Sequence, residues 1–319
     1  LRLRLVVYDG GERMAWSDSC KRAECTSAEP DVVLILGDRF EIFSAVAAAM
    51  VARVPVAHIG GGDTSQGAID EAIRHGITKM SHMHFVATKQ YRDRVIQLGE
   101  QPDRVFNVGG LGVDGIKKTK LLSKNNLMDK TGIKFDKKNL LITYHPVTLD
   151  KQTSADAFQN LLDALVTLKN TCLIFTMPNA DSDSIIIKKM INKYVSSLNT
   201  NSISFTSMGQ VNYLSTLKIV DGVIGNSSSG LLEAPTFKIG TINIGDRQKG
   251  RLKSKSVIDC EPTSKSIKNA IKKLYSYDFQ KKLVSIENPY DKGDASEKII
   301  KILLGLKLPI EIKKEFYDL

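Results

Sequence analysis

Long apolar runs are missing from this sequence. No stretch approaches the roughly 20 residues needed to cross a bilayer, and the opening Leu1-Arg2-Leu3-Arg4-Leu5-Val6-Val7 lacks the apolar core and small-residue cleavage pattern of a secretory signal. A cytoplasmic protein with no membrane partner is expected. Cysteine is scarce: Cys20, Cys25, Cys172 and Cys260 are the only four in 319 residues, and none has CxxC spacing. No disulfide framework and no zinc or other metal site are expected. Aromatic residues make up only 7% of the chain and are not interleaved with the lysines, so the net charge of +10 does not read as a nucleic-acid surface. Solvated helix faces account for most of that charge, and attraction for an anionic substrate for the rest. No short-period repeat is present, which excludes a solenoid.

What is present is an alternation. Short β-branched runs at Val32 to Leu36, Val54 to Ile59, His84 to Ala87 and Val105 to Val108 are separated by helical periods, the pattern of βα units in a parallel sheet. Phe40, Phe43, Val46, Ala47 and Met50 recur at helical spacing, so Arg39 to Arg53 reads as a helix stopped before Pro55. A second set of strand-like runs follows at Leu140 to Thr143, Cys172 to Met177, Ile203 to Phe205, Val220 to Ile224 and Gly240 to Ile244. The expected architecture is α/β, two Rossmann-like lobes with a cleft between them. The expected boundaries are a first lobe at 1–121, a Lys- and Asn-rich linker at 122–138, and a second lobe at 139–319 that includes the last apolar helix.

Three clusters carry chemistry. Gly225-Asn226-Ser227-Ser228-Ser229-Gly230 follows a strand and opens a helix bearing Glu233. Its N–H groups and hydroxyls suit an anion, Glu233 suits vicinal hydroxyls such as those of a ribose, and Arg247 after the next strand supplies charge for a diphosphate. Taken alone, the serines would read as a helix cap; the segment Gly245 to Arg251 tips the reading toward a ligand. In the second cluster, Asp38 and Arg39 end one strand and Asp63 follows the next, while Asp70 opens a helix. Three carboxylates could converge there, or Asp70 and Arg74 could form a surface i,i+4 pair. In the third, His145 ends the second lobe's first strand and is placed for acid–base work or a phosphate contact. Phe175 to Asp181, with Asn179, and Ser207 to Gln210 are candidate walls for sugar and base. His82 and His84, at the start of a strand, read as structural.

These residues resemble the hydrolysing UDP-N-acetylglucosamine 2-epimerases of sialic- and legionaminic-acid synthesis, whose GT-B-like two-lobe fold also occurs in a large group of glycosyltransferases. The resemblance rests on GDRFE at 37–41, HIGGGDTSQGAIDEAIRHGITKMSH at 58–82, YHPVT at 144–148, FTMPNAD at 175–181, GNSSSGLLEAP at 225–235 and NIGDRQKGR at 243–251. It implies removal of the C2 proton of a hexosamine, elimination of UDP from C1, and addition of water with inversion at C2. No cofactor is implied, and a homo-oligomer, dimer or tetramer, is. The resemblance makes Asp38, Asp63, Asp70 and His145 the catalytic candidates, and Arg39, Asn179, Ser227, Ser228, Ser229, Glu233 and Arg247 the UDP- and sugar-binding candidates.

Two departures stand out. Gly60 occupies the position of a family glutamate, and residues 1–30 lack the family's opening strand and Gly-Thr-Arg turn, so the first lobe is expected to be truncated or altered at its front. The same reaction on a UDP-2,4-diacetamido-2,4,6-trideoxyhexose, a glycosyltransferase of the same fold, and a non-catalytic UDP-sugar-binding remnant are the alternatives.

Overall fold

The structure is a computed structural model that describes residues 5–8, 30–65, 70–147, 153–178, 184–197 and 201–319. The chain folds as two compact units: one holds the described residues up to Asp114 together with Lys292–Leu319, the other Gly115–Asp291.

In the first unit, β1 (Leu5–Tyr8), β2 (Val32–Leu36), β3 (Val56–Ile59), β4 (Met83–Val86) and β5 (Val105–Asn107) form a parallel sheet in simple sequence order. Strand period two divides β2 between two cores. Val33 and Ile35 pack with Ile42, Val46 and Ala49 of α1 (Phe40–Val51) and Ile77 of α2 (Asp70–Met80). Val32 and Leu34 pack on the other face, with Ile299 and Leu303 of the last helix (Ala295–Leu304). Against β4 and β5 packs α3 (Lys89–Gln97), whose N-cap Thr88 accepts from the Tyr91 N–H at 3.2 Å.

Three expectations are corrected here. The buried face of α1 is Ile42, Ala45, Val46 and Ala49, whereas Phe40, Phe43 and Met50 are exposed. Both sets fit a 3.6 period, and contact with β2 and α2 chooses the smaller side chains. The last helix belongs to the first unit, not to the second as the boundary 139–319 required, because its apolar stripe completes the core under β2 and β3. At the front, β1 pairs in parallel with β2, Leu5 opposite Val32 and Tyr8 opposite Ile35, so a strand stands where the reading of residues 1–30 left none.

The second unit begins within α4 (Leu111–Lys118). The segment expected as a linker contains α5 (Lys124–Thr131), capped by Ser123 and ended by Gly132, and it buries Leu127 and Ile133 completely or nearly so. The strands are β6 (Lys138–Thr143), β7 (Thr171–Thr176), β8 (Ser202–Phe205), β9 (Gly222–Gly225), β10 (Gly240–Ile244) and β11 (Val257–Cys260). All pair in parallel, in the order β11-β10-β9-β6-β7-β8. This is the doubly wound nucleotide-binding order, in which the connections reverse direction between β6 and β9. Helices α6 (Ser154–Leu165), α7 (Ser184–Val195) and α10 (Ser264–Leu274) cover one face; α8 (Gln210–Leu217) covers the other, and a single turn, α9 (Ser229–Leu232), follows β9. Among the described residues no helix is long and apolar enough to cross a membrane.

Candidate functional site

The second unit places its candidate residues at the topological switch point. In a parallel sheet the ligand crevice lies outside the carboxyl ends of the strands where the winding reverses, and here those ends are Thr143 to His145 after β6 and Gly225 to Ser229 after β9. The two are clasped by one side chain. The His145 N–H donates to Asn226 Oδ1 at 2.7 Å, and Asn226 Nδ2 donates to the His145 carbonyl at 2.8 Å. Asn226 is 1% exposed, so both bonds are shielded from water and fix the backbone from which the imidazole projects. The close approach needs Gly225: its φ is +142°, and a Cβ would collide with the Thr143 carbonyl.

The end of β10 joins the same point. Arg247 Nη1 and Gln248 Nε2 both donate to the Asn226 carbonyl, at 3.1 and 2.8 Å, and Arg251 Nη1 holds Gln248 through its Oε1 at 2.9 Å. The Ser-rich turn and the Gly245 to Arg251 segment, linked in sequence only by motif, therefore share one carbonyl. Burial, with the Arg247 charge adding to it, pushes the His145 imidazole down to about 4. The free imidazole is neutral near pH 7, so it starts as an acceptor, and a diphosphate nearby would be needed to raise it.

Within the turn the serines differ. The Ser227 hydroxyl accepts from the Ser229 N–H at 3.4 Å, Ser228 occupies the N-cap position without a side-chain cap bond, and the Ser229 hydroxyl donates to Glu233 Oε2 at 2.5 Å. Burial raises the Glu233 carboxyl and the Ser229 hydroxyl opposes that shift. Asn179 lies outside the described residues.

In the first unit the organising group is Arg74, which the sequence reading treated only as a partner for Asp70. It is 1% exposed. Its Nε and Nη2 donate to Asp38 Oδ2 at 2.9 and 2.5 Å, and its Nη1 donates to Glu71 Oε2 and the Asp63 carbonyl at 2.9 and 3.1 Å; Nη2 also reaches Ser65 Oγ at 3.0 Å. Burial works against the guanidinium charge, but Asp38 and Asp63 lead the interactions that raise its pKa. Asp38 and Asp63 are thus gathered around one cation from positions 36 and 11 residues away in sequence. Asp70 is half-buried at the first residue of α2, and Arg74 takes Asp38 and Glu71 as its ionic partners. Arg39 is 65% exposed and pairs with Glu41 at 2.9 Å.

His58, fully buried in β3, bonds the Gly37 carbonyl through Nε2 at 3.1 Å and holds the turn that carries Asp38. Burial first, then His84, brings it down to about 3, so it is neutral. Gly60 has φ +105°, a region that a glutamate occupies only under strain; this loop has a backbone built for glycine. His82 and His84 are structural, as expected: His82 Nδ1 accepts from the Val56 N–H, and His84 Nε2 meets Glu100 Oε2 at 2.9 Å.

The sequence reading named Asn226 within the turn and Gln248 beside Arg247 without foreseeing the structural part either plays, and it missed Arg74 and Glu71 as site residues. Burial of a charged or amide side chain was the missing signal, and it is visible only once the strands are assembled.

The chain resembles known proteins along most of its length. A family model described as UDP-N-acetylglucosamine 2-epimerase matches residues 21–304. The chain is 43% identical over 292 residues to GDP/UDP-N,N'-diacetylbacillosamine 2-epimerase (hydrolyzing) of Campylobacter jejuni, covering 91% of this chain and 76% of that protein. It is 40% identical over 291 residues to polysialic acid biosynthesis protein P7 of Escherichia coli, covering 91% and 74%. Among solved structures, the UDP-GlcNAc 2-epimerase of Neisseria meningitidis bound to UDP-GlcNAc superposes with a TM-score of 0.78 at 19% identity, over 90% of this chain and 80% of that one. The fold is therefore the α/β, GT-B-like fold of two Rossmann-like units. The chain belongs to the UDP-N-acetylglucosamine 2-epimerase family, and it is an epimerase.

Proposed function

We propose that this protein is a hydrolysing 2-epimerase of a UDP-linked 2-acetamido sugar. A base takes the C2 proton, the C1–O bond to the diphosphate breaks, and UDP departs to leave a C1–C2 glycal. Water then adds, its hydroxyl to C1 and a proton to C2 from the opposite face. The balance is UDP-sugar and water in, UDP and the C2-inverted free sugar out.

The observation that carries this reading is the junction at the switch point of the second sheet, where His145, Asn226, Arg247 and the Gly225–Glu233 turn meet. Negative charge grows on the departing diphosphate, and prepositioned donors at such a point lower the barrier by stabilising it. Ser227, Ser228, Ser229, Glu233 and Arg247 would hold UDP, with Arg39 and Asn179 as further contacts, and His145 would give a proton to the leaving group. Asp38, Asp63 and Asp70 are the candidates for proton transfer at C2 and for activating water.

A UDP-2,4-diacetamido-2,4,6-trideoxyhexose is favoured over UDP-N-acetylglucosamine by one observation, the 43% identity to a relative named for N,N'-diacetylbacillosamine. Incubation with each sugar in heavy water separates the readings. UDP release with a C2-inverted product carrying deuterium at C2 is expected, faster with the diacetamido substrate. Transfer of the sugar without exchange at C2 would mark a glycosyltransferase, and UDP binding with no release from either substrate would mark a binding protein. A homo-oligomer is part of the proposal, supported by the exposed Phe40, Phe43, Met50 and Val51 of α1; light scattering reads it directly.

A further inference from the structure

Two hydroxyl groups at the switch point of the second sheet lead to Glu233. Thr176 Oγ1 at the end of β7 lies 2.5 Å from Thr143 Oγ1 at the end of β6. Thr143 lies beside the phenol of Tyr213 on α8; the Tyr213 hydroxyl donates to Ser229 Oγ at 2.6 Å, and Ser229 Oγ donates to Glu233 Oε2 at 2.5 Å.

The direction of every bond follows from the last one. An ionised carboxylate only accepts, and each hydroxyl has a single proton to give. Ser229 gives its proton to Glu233 and must accept from Tyr213. Two hydroxyls on two elements are aligned toward one carboxylate oxygen. Burial pushes the Tyr213 phenol up to about 12, so it stays a donor over the whole working pH range. The pair engages Oε2 of Glu233, which leaves Oε1 as the oxygen presented to a ligand.

We propose that Tyr213, acting through Ser229, is a positioning residue for Glu233, fixing the orientation in which that carboxylate receives the vicinal hydroxyls of a ribose. The inference rests on the reading of Glu233 as a nucleotide contact. It also changes the part played by Ser229. The Ser229 proton is committed to Glu233 and its oxygen to Tyr213, so Ser229 acts on the ribose through the carboxylate and not on the diphosphate. Ser227 and Ser228 are the serines left for phosphate. Burial raises the Glu233 carboxyl and the Ser229 hydroxyl opposes that shift, so loss of the hydroxyl would raise it further.

Calorimetry with UDP and with inorganic pyrophosphate between pH 5 and 8 tests this in the full chain and in Tyr213→Phe, Ser229→Ala and Glu233→Gln. Loss of one buried hydrogen bond predicts UDP affinity about five- to tenfold weaker in Tyr213→Phe and Ser229→Ala, with kcat within about twofold of the parent and KM raised. The acid-side loss of UDP affinity moves to higher pH in both and disappears in Glu233→Gln, while pyrophosphate affinity is unchanged. Parental UDP affinity and acid midpoint in Tyr213→Phe, alongside weakened binding in Glu233→Gln, overturn the positioning role and leave the functional reading intact. Equal weakening of UDP and pyrophosphate in Ser229→Ala overturns it by assigning Ser229 to phosphate. An unsubstituted protein that binds no UDP overturns the functional reading itself, and the positioning role with it.

Discussion

The two units hold their candidate residues by opposite means. In the first, one buried guanidinium, Arg74, collects Asp38, Glu71, the Asp63 carbonyl and Ser65. In the second, a neutral amide, Asn226, clasps His145, and burial drives the titratable groups toward their uncharged forms: His145 down, Glu233 and Tyr213 up. The difference follows from solvent. Asp38 and Glu71 keep 28% of their side-chain surface in water, which lets ions persist beside a buried cation. Asn226 keeps almost none, and there hydrogen bonds without net charge are the cheaper arrangement. Proton transfer at carbon suits ionised carboxylates, whereas a site for a dianion is best left without competing anions.

Removing the cation should have the largest effect. Arg74→Ala strands the groups it gathers and is expected to destabilise the protein by about 3 kcal/mol, the low end for breaking a buried pair because both carboxylates can rehydrate. Denaturant unfolding reads it, and Arg74→Lys should restore little, since an ammonium lacks the planar fork that serves four partners. A loss below about 1 kcal/mol would mean that the arginine is incidental to the first unit.

Asn226→Ala attacks the neutral side. Freeing the His145 backbone is expected to lower turnover on the order of 100-fold, in line with the cost of misplacing a catalytic group by an ångström, with UDP affinity changed far less. Steady-state kinetics beside calorimetry separate the two, and an equal loss in both would show Asn226 serving the nucleotide and not the imidazole.

Acid should distinguish the units next. Burial raises the Glu100 carboxyl, but hydrogen bonds from His84, Lys314 and Lys79 outweigh it and bring it to about 2 from an ordinary 4.5. A depressed carboxyl stabilises the fold above its unfolded pKa, and that contribution drains away as pH falls from about 4.5 through about 2. Glu100→Gln should therefore flatten the stability profile in that window, measured by melting at successive pH values. Glu233, shifted the other way, should release UDP at a higher pH than the one at which this cluster fails.

The smallest effect is expected from Lys79→Met. Lys79 is 41% exposed, and Lys314, with His84, continues to hold Glu100, so the change should stay within about 0.5 kcal/mol. A larger loss would argue that the cluster acts as a unit.

Much of the fold was legible. Val32 to Leu36 and Gly240 to Ile244 were placed to the residue, and the other expected strands to within one or two, because buried parallel strands leave continuous β-branched runs. Two strands were missed. β11 is the short edge strand Val-Ile-Asp-Cys, interrupted by Asp259, and β1 gains its place by pairing with β2 across residues far apart in the chain. Of the site, motif blocks marked His145, the Ser-rich turn, Arg247, Asp38 and Asp63, but did not point to Asp38 and Glu71 as ionic partners of Arg74.

The sequence by itself determined the βα alternation, the family, and which short segments carry chemistry, because periodicity and motif are local properties of a chain. Only the tertiary structure decided that Arg74 turns to Asp38, that Asn226 clasps His145, and that residues 292–319 complete the first unit. Those choices depend on which groups become buried together, and burial exists only after distant strands have paired.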